Sequence, residues 1–129
     1  MRRELSPEGL APPAANYAHA VVSTNVSRML HTSGIVPARP DGTVPETIAE
    51  QASTIWETVL ALLAEGNMSA ENVVSVTTYV VVDDMDQLPA VMAARDLALG
   101  GHRAASTLVT VPALAQPAWR MEIAVVATG

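Results

Sequence analysis

The run Asn72–Val82, NVVSVTTYVVV, constrains this chain more than any other stretch. Valine and threonine dominate it. Two heavy atoms on Cβ suit these residues to a pleated, packed surface, so the run reads as a strong, largely buried strand. The complementary signal lies upstream, at residues 44–65. Ile48, Ala52, Ile55, Val59 and Leu62 or Leu63 recur at spacings of three and four, with Glu46, Glu50 and Glu57 off the stripe. That period predicts an amphipathic helix. Thr43 with Glu46 three residues on has the form of a capping box, and Gly66 is a natural stop.

Weaker signals fill in the rest. Residues 1–16 hold Pro7, Pro12 and Pro13 and are expected to form an irregular arm. Tyr17–Val22 (YAHAVV) and Arg28–Ile35 (RMLHTSGI) are expected strands, joined across Ser23-Thr24-Asn25 as a hairpin. Pro37, Pro40, Asp41 and Gly42 mark a loop. A second helix is expected from Asp84 or Asp86 to about Leu99, ended by Gly100-Gly101. Strands at 106–111 and 119–127 complete the set. Strands and helices mix without strict alternation, which argues for an α+β fold: one mixed sheet with two helices on one face. At 129 residues the chain is one domain, and a symmetry mate is the simplest cover for the second sheet face.

Composition narrows the chemistry. There is no cysteine, so disulfides, thiolate metal sites and cysteine nucleophiles are excluded. There are seven arginines and no lysine, which removes Schiff-base and phosphate-loop lysines. A net charge of −6, scattered arginines and four aromatics argue against nucleic acid as a partner. No apolar run reaches the ~20 residues a membrane span needs. Glu4 and Pro7 stand where the apolar core of a secretory signal would lie, so a soluble cytoplasmic protein is expected.

Few residues carry chemistry in themselves. His19, His31 and His102 lack acids at metal-motif spacing, so no metal site is expected. Asp83, Asp84 and Asp86 read as helix-start acids satisfying free amides. Ser106-Thr107 lacks the setting of a serine nucleophile. Arg120 and Glu122 are two apart on an expected strand and so share a face beside Ala124, opposite Trp119, Met121, Ile123 and Val125. In solvent that pair is a weak ion pair. At a subunit interface Glu122 becomes a candidate acid or base.

Taken in order, several segments resemble the Rid/YjgF family of reactive enamine and imine deaminases, also called L-PSP endoribonucleases. Ala14-Ala-Asn-Tyr17-Ala-His-Ala-Val21 resembles its Gly-Pro-Tyr-Ser-x-Ala-Val opening. Leu30-His-Thr-Ser-Gly-Ile-Val-Pro37 resembles its Val-Ser-Gly-Gln-Ile-Pro turn. Asn72–Val80 with Asp84-Met-Asp-Gln-Leu88, Gly101–Thr107 and Met121-Glu-Ile-Ala124 resemble its later strands and second helix start. Each motif is weak alone; together, in order over residues ~10–127, they are specific.

The resemblance implies a homotrimer of α+β protomers, similar in fold to trimeric chorismate mutase, with clefts between subunits. It implies hydrolysis of small enamines or imines to a carbonyl compound and ammonium, without metal or cofactor. Carried over residue by residue, Glu122 orients the attacking water, the Gly34 amide assists, and Tyr17 lines the cleft. The family's carboxylate-gripping arginine falls on Ala105 or Ser106 here and is missing. Arg103 and Arg120 are the candidate replacements, with Ser106 and Thr107 beside them in the expected substrate-binding set. Ala15-Asn16 also replaces the opening Gly-Pro, and Met92 a common asparagine. The expected function is imine or enamine hydrolysis with a non-standard substrate. The alternative is a non-catalytic ligand binder on the same scaffold, and RNA cleavage is the weakest reading on charge.

Overall fold

The computed structural model describes residues 1–129. The first long helix, α1 (Ile48–Glu65), buries Ile48, Ala52, Ile55, Trp56, Val59 and Leu63 along one stripe. Its N-cap is Thr47, whose hydroxyl accepts the Glu50 N–H at 3.2 Å, not Thr43 as the capping-box pattern suggested. Thr43 is drawn off by Asp41, whose carboxylate accepts both its N–H (2.9 Å) and its O–H (2.7 Å). That side-chain turn competes with helix initiation. Gly66 closes the helix as expected.

The β-branched run forms β4 (Val73–Val81), and β6 (Met121–Thr128) pairs with it antiparallel. Both alternate in burial past the irregularity at Val73–Ser75 and up to Ala127: Val76, Thr78 and Val80 on β4, and Met121, Ile123, Val125 and Ala127 on β6, face the helices. Chain then crosses over through a 3₁₀ segment, Val82–Gln87, and α2 (Leu88–Ala98) to β5 (Ala105–Val111). β5 runs parallel to β4, as a crossover helix requires. The second helix thus starts later than expected, its first turn being the 3₁₀ segment. β3 (Met29–His31) pairs antiparallel with β6, and the sheet order is β3-β6-β4-β5.

Two expectations fail at the N-terminal end. Residues 1–16 are not wholly irregular: β1 (Arg2–Leu5) pairs antiparallel with β2 (Ala20–Ser23). The prolines begin only at Pro7, so the first residues remain free to pair. β2 and β3 therefore do not form a hairpin. β2 takes β1 as its neighbour, and β3 crosses the fold to the far end of β6. A loop anchored by Ser27 and Arg28 amides on the Gly129 carbonyl (2.9 and 3.0 Å) makes the switch.

Both helices lie on one face of the four-stranded sheet. The other face presents three rows, set by register. Glu122, Tyr79 and Val109 form one; Ala124, Thr77 and Thr107 the next; Val126, Ser75 and Ala105 the third. These residues are half-buried or exposed, and no helix covers them.

Candidate functional site

Glu122 is placed by the alternation of β6. Its neighbours Met121 and Ile123 are drawn into the core, so its carboxylate is forced onto the open face. Beside it lies the Ser33-Gly34 turn. From the His31–Val126 pair to the Ile35–Ile123 bridge the chain takes four steps on one side and three on the other. The extra residue is a bulge, which breaks the ladder at Ser33-Gly34. Gly34 consequently donates its N–H to no group in the chain. A β-carbon at Gly34 would overlap the Glu122 carboxylate, so only glycine fits while Glu122 holds this position. Glu122 takes part in none of the four ion pairs of the chain. The result is an unneutralised carboxylate, a free backbone donor, and the Tyr79 side chain in the adjacent register position on one sheet face.

The expected substrate-binding residues divide. Gly34 is at Glu122, and Thr107 is on the same face one row along. Tyr17 is half-buried near the β2 end; its hydroxyl accepts the Ala14 N–H at 3.4 Å, and its ring meets His19 edge-on at 6.0 Å. His19 in turn bonds the Ala11 carbonyl at 2.8 Å.

Ser106 is on the opposite face of the sheet. It pairs in register with core residue Val76, and its hydroxyl accepts from Arg95 of α2 at 3.3 Å. It is therefore corrected to a helix-side structural residue, because β5 shares the alternation of β4. Arg103 is held by Glu4 at 2.9 Å and donates to the Tyr17 carbonyl at 2.6 Å. Its work here is to tie β1 and the Tyr17 segment to the start of β5.

Arg120 does not pair with Glu122. It lies one residue before β6, and its guanidinium grips Asp84 with two prongs, Nε to Oδ2 at 2.9 Å and Nη2 to Oδ1. Nη1 donates to the Glu46 carbonyl at 2.8 Å. The hydrogen bonds it donates to Asp84 hold the guanidinium even further into its charged form, with burial opposing. Asp84, read as a helix-start acid, is thus a buried ion-pair partner. Gln51 braces the same corner: buried on α1, it donates to the Pro45 and Ala118 carbonyls (2.9 and 3.0 Å) and accepts the Arg120 N–H at 3.0 Å.

Three residues of this arrangement escape a reading of the sequence. Tyr79 was visible in principle, since Ser75, Thr77, Tyr79 and Val81 alternate with the core positions of β4. Gln51 stood on the apolar stripe of α1, and a polar residue there signals a buried network. Arg95, only 6% exposed, carried no local signal.

The chain is similar to known proteins in sequence and in fold. Residues 8–129 match the family model described as Endoribonuclease L-PSP. A crystal structure of YyfB from Yersinia pestis, a protein of unknown function of the conserved Rid family, superimposes with a TM-score of 0.88 at 27% identity. That match covers 98% of each chain. A Thermotoga maritima structure described as a putative endoribonuclease gives a TM-score of 0.72 at 29% identity, covering 100% of this chain and 98% of the other. The mitochondrial protein MMF1 of Saccharomyces cerevisiae is 38% identical over 72 residues, 54% of this chain and 48% of its own length. The aligned part thus spans about half of that curated relative.

Proposed function

Since the chain belongs to the endoribonuclease L-PSP family, the Rid/YjgF proteins, we propose that it hydrolyses small imines, and enamines after their tautomerisation, to a carbonyl compound and ammonium. One observation carries this: an unpaired Glu122 carboxylate packed on Gly34, with the free Gly34 N–H beside it. In this reading Glu122 accepts a proton from water as the water oxygen bonds to the imine carbon. The carbinolamine that forms takes a proton on nitrogen, its C–N bond breaks, and ammonium leaves; R₂C=NH₂⁺ and H₂O become R₂C=O and NH₄⁺. A general base within reach of the water supplies about 10²–10⁴-fold. The Gly34 N–H is suited to holding the substrate or the new oxygen.

The reading includes self-association. The Glu122 face has no cover within the chain, and Val109 is 40% exposed on it. A homotrimer that lays this face against a neighbour supplies the missing wall and excludes bulk water. RNA cleavage fits less well, since the chain carries a net charge of −6 and most of its arginines are held internally. No helix is long and apolar enough to cross a membrane.

The test is ammonium release from enzymatically generated imines by wild type and Glu122→Gln. Glutamine keeps the shape and removes the base, so the rate is expected to fall to background with the fold intact. An unchanged rate in the variant would exclude Glu122 as the base.

A further inference from the structure

The placement of positive charge narrows the substrate class of this site. The chain has no lysine, and five of its seven arginines are bound within it. Arg28 holds the Gly66 and Asn67 carbonyls at 2.7 and 3.3 Å. Arg39 pairs with Glu50, Arg95 with Asp96 on the helix side of the sheet, Arg103 with Glu4, and Arg120 with Asp84. Arg2 and Arg3 alone have no side-chain partner, and both lie on β1. Arg2 lines a cavity of about 240 Å³ with Thr128 and Gly129, at the far end of β6 from Glu122. Six residues of strand separate the two ends, ~20 Å at 3.3 Å per residue.

The face around Glu122 offers hydroxyls and apolar groups instead: Tyr79, Thr77, Thr107 and Val109. Its one titratable base is His31, opposite Val126 and about 13 Å along the strand by the same rise. A second copy laid on this face brings the same five held arginines, with its Arg2 and Arg3 again on β1 and tied to no fixed position. A substrate carboxylate would meet the Glu122 carboxylate with no fixed guanidinium to balance it, and like charges a few ångströms apart repel. A protonated imine meets attraction, and a neutral one no penalty.

We propose that the substrates of this cleft are imines without a carboxylate, the class released when primary amines are oxidised, rather than the imino acids released from amino acids. The proposal rests on the hydrolysis reading above. A reaction supplying the substrate would remove a hydride from the carbon bearing the amine, and the hydrolysis RCH=NH₂⁺ + H₂O → RCHO + NH₄⁺ consumes it.

A matched pair tests it. A flavin amine oxidase releases the imine of isoamylamine, and an L-amino acid oxidase releases that of leucine; the two differ by the carboxylate alone. Wild-type protein is added with semicarbazide as a competing trap. The amine-derived imine is expected to gain at least about tenfold more acceleration than the imino acid. Equal acceleration, or a faster imino acid, overturns the proposal and leaves hydrolysis standing. A parallel arm measures thermal shift with isoamylamine and with 4-methylpentanoate, which needs no turnover. A shift with the amine alone supports the charge preference even where neither imine is hydrolysed, an outcome that defeats the hydrolysis reading instead. A shift with the carboxylate, or with neither compound at millimolar concentration, overturns the proposal.

Discussion

Gly34 and Glu122 meet so closely that the carboxylate occupies the space a β-carbon on residue 34 would need. The two are 88 positions apart in sequence and are joined by a bulge that re-aims one short turn. Gly34→Ala forces the carboxylate aside. A long side chain at a half-open position can swing away, so unfolding free energy is expected to change by less than ~1 kcal/mol. Hydrolysis depends on placement, and kcat/KM is expected to fall by about tenfold or more. Steady-state kinetics beside a urea melt separates the two, and full activity in this variant would mean that Glu122 works from another position.

Gln51 is the buried brace between α1 and the segment leading into β6, with three hydrogen bonds to backbone groups. Gln51→Leu keeps the volume and orphans two carbonyls and one N–H. The expected cost is about 2–4 kcal/mol, since each lost partner exposes the desolvation penalty of the group left behind. Chemical denaturation measures it. A loss below ~1 kcal/mol would show that water takes over these groups.

Asp41 sets a pH signature at the turn before α1. The Thr43 hydroxyl first, then the Thr43 N–H, hold its carboxyl below the usual aspartate value of 3.8. A depressed native value means the ionised turn helps the fold above 3.8 and loses that help as pH falls through the native value. An NMR titration of the Asp41 carboxyl carbon is expected to give a midpoint below 3.8, and Thr43→Val is expected to return it upward. A wild-type midpoint at or above that value would show that the turn opens in solution.

Ala105 stands on the open face, in register with Ser75 and Val126. An arginine there adds a fixed cation to a face that has none. Ala105→Arg is expected to improve kcat/KM for the leucine-derived imino acid by about tenfold relative to the amine-derived imine, as a charged hydrogen bond would. An unchanged ratio would mean that substrate does not lie across this row.

What the sequence made legible follows the range of the interactions involved. Periodicity is local, so α1, β4 and β6 stood out, and the alternation of β6 placed Glu122 and Met121 on opposite faces. The resemblance brought Gly34 and Glu122 together through motifs at residues 30–37 and 121–124. Partner choice is not local. Arg120 looked matched to Glu122, two residues away, but finds Asp84 across the fold, because one lies just outside the strand and the other at a 3₁₀ turn brought up beside it. Ser106 looked like a site residue until register with Val76 fixed its face. β1 was hidden because its four residues, Arg-Arg-Glu-Leu, carry no strand composition and pair only because β2 offers an edge.

The position of β6 in the sheet also governs how the chain acquires its structure. This strand lies between β3 and β4, yet it is the last of the six to be synthesised. Until residues 121–128 exist, β3 has no neighbour and the apolar side of β4 lacks half its lining. The helix and the valine-rich strand can emerge early, but the β6 pairings that close the sheet span 41 residues (Val80 to Met121) to 99 (Met29 to Thr128), and such long-range closure is slow. Nascent protein therefore carries β4 without its β6 neighbour from residue 81 to residue 121, an exposed, aggregation-prone strand. The residue that bears the chemistry is added in the same stroke that completes the fold, so a chain cut short before Glu122 lacks both.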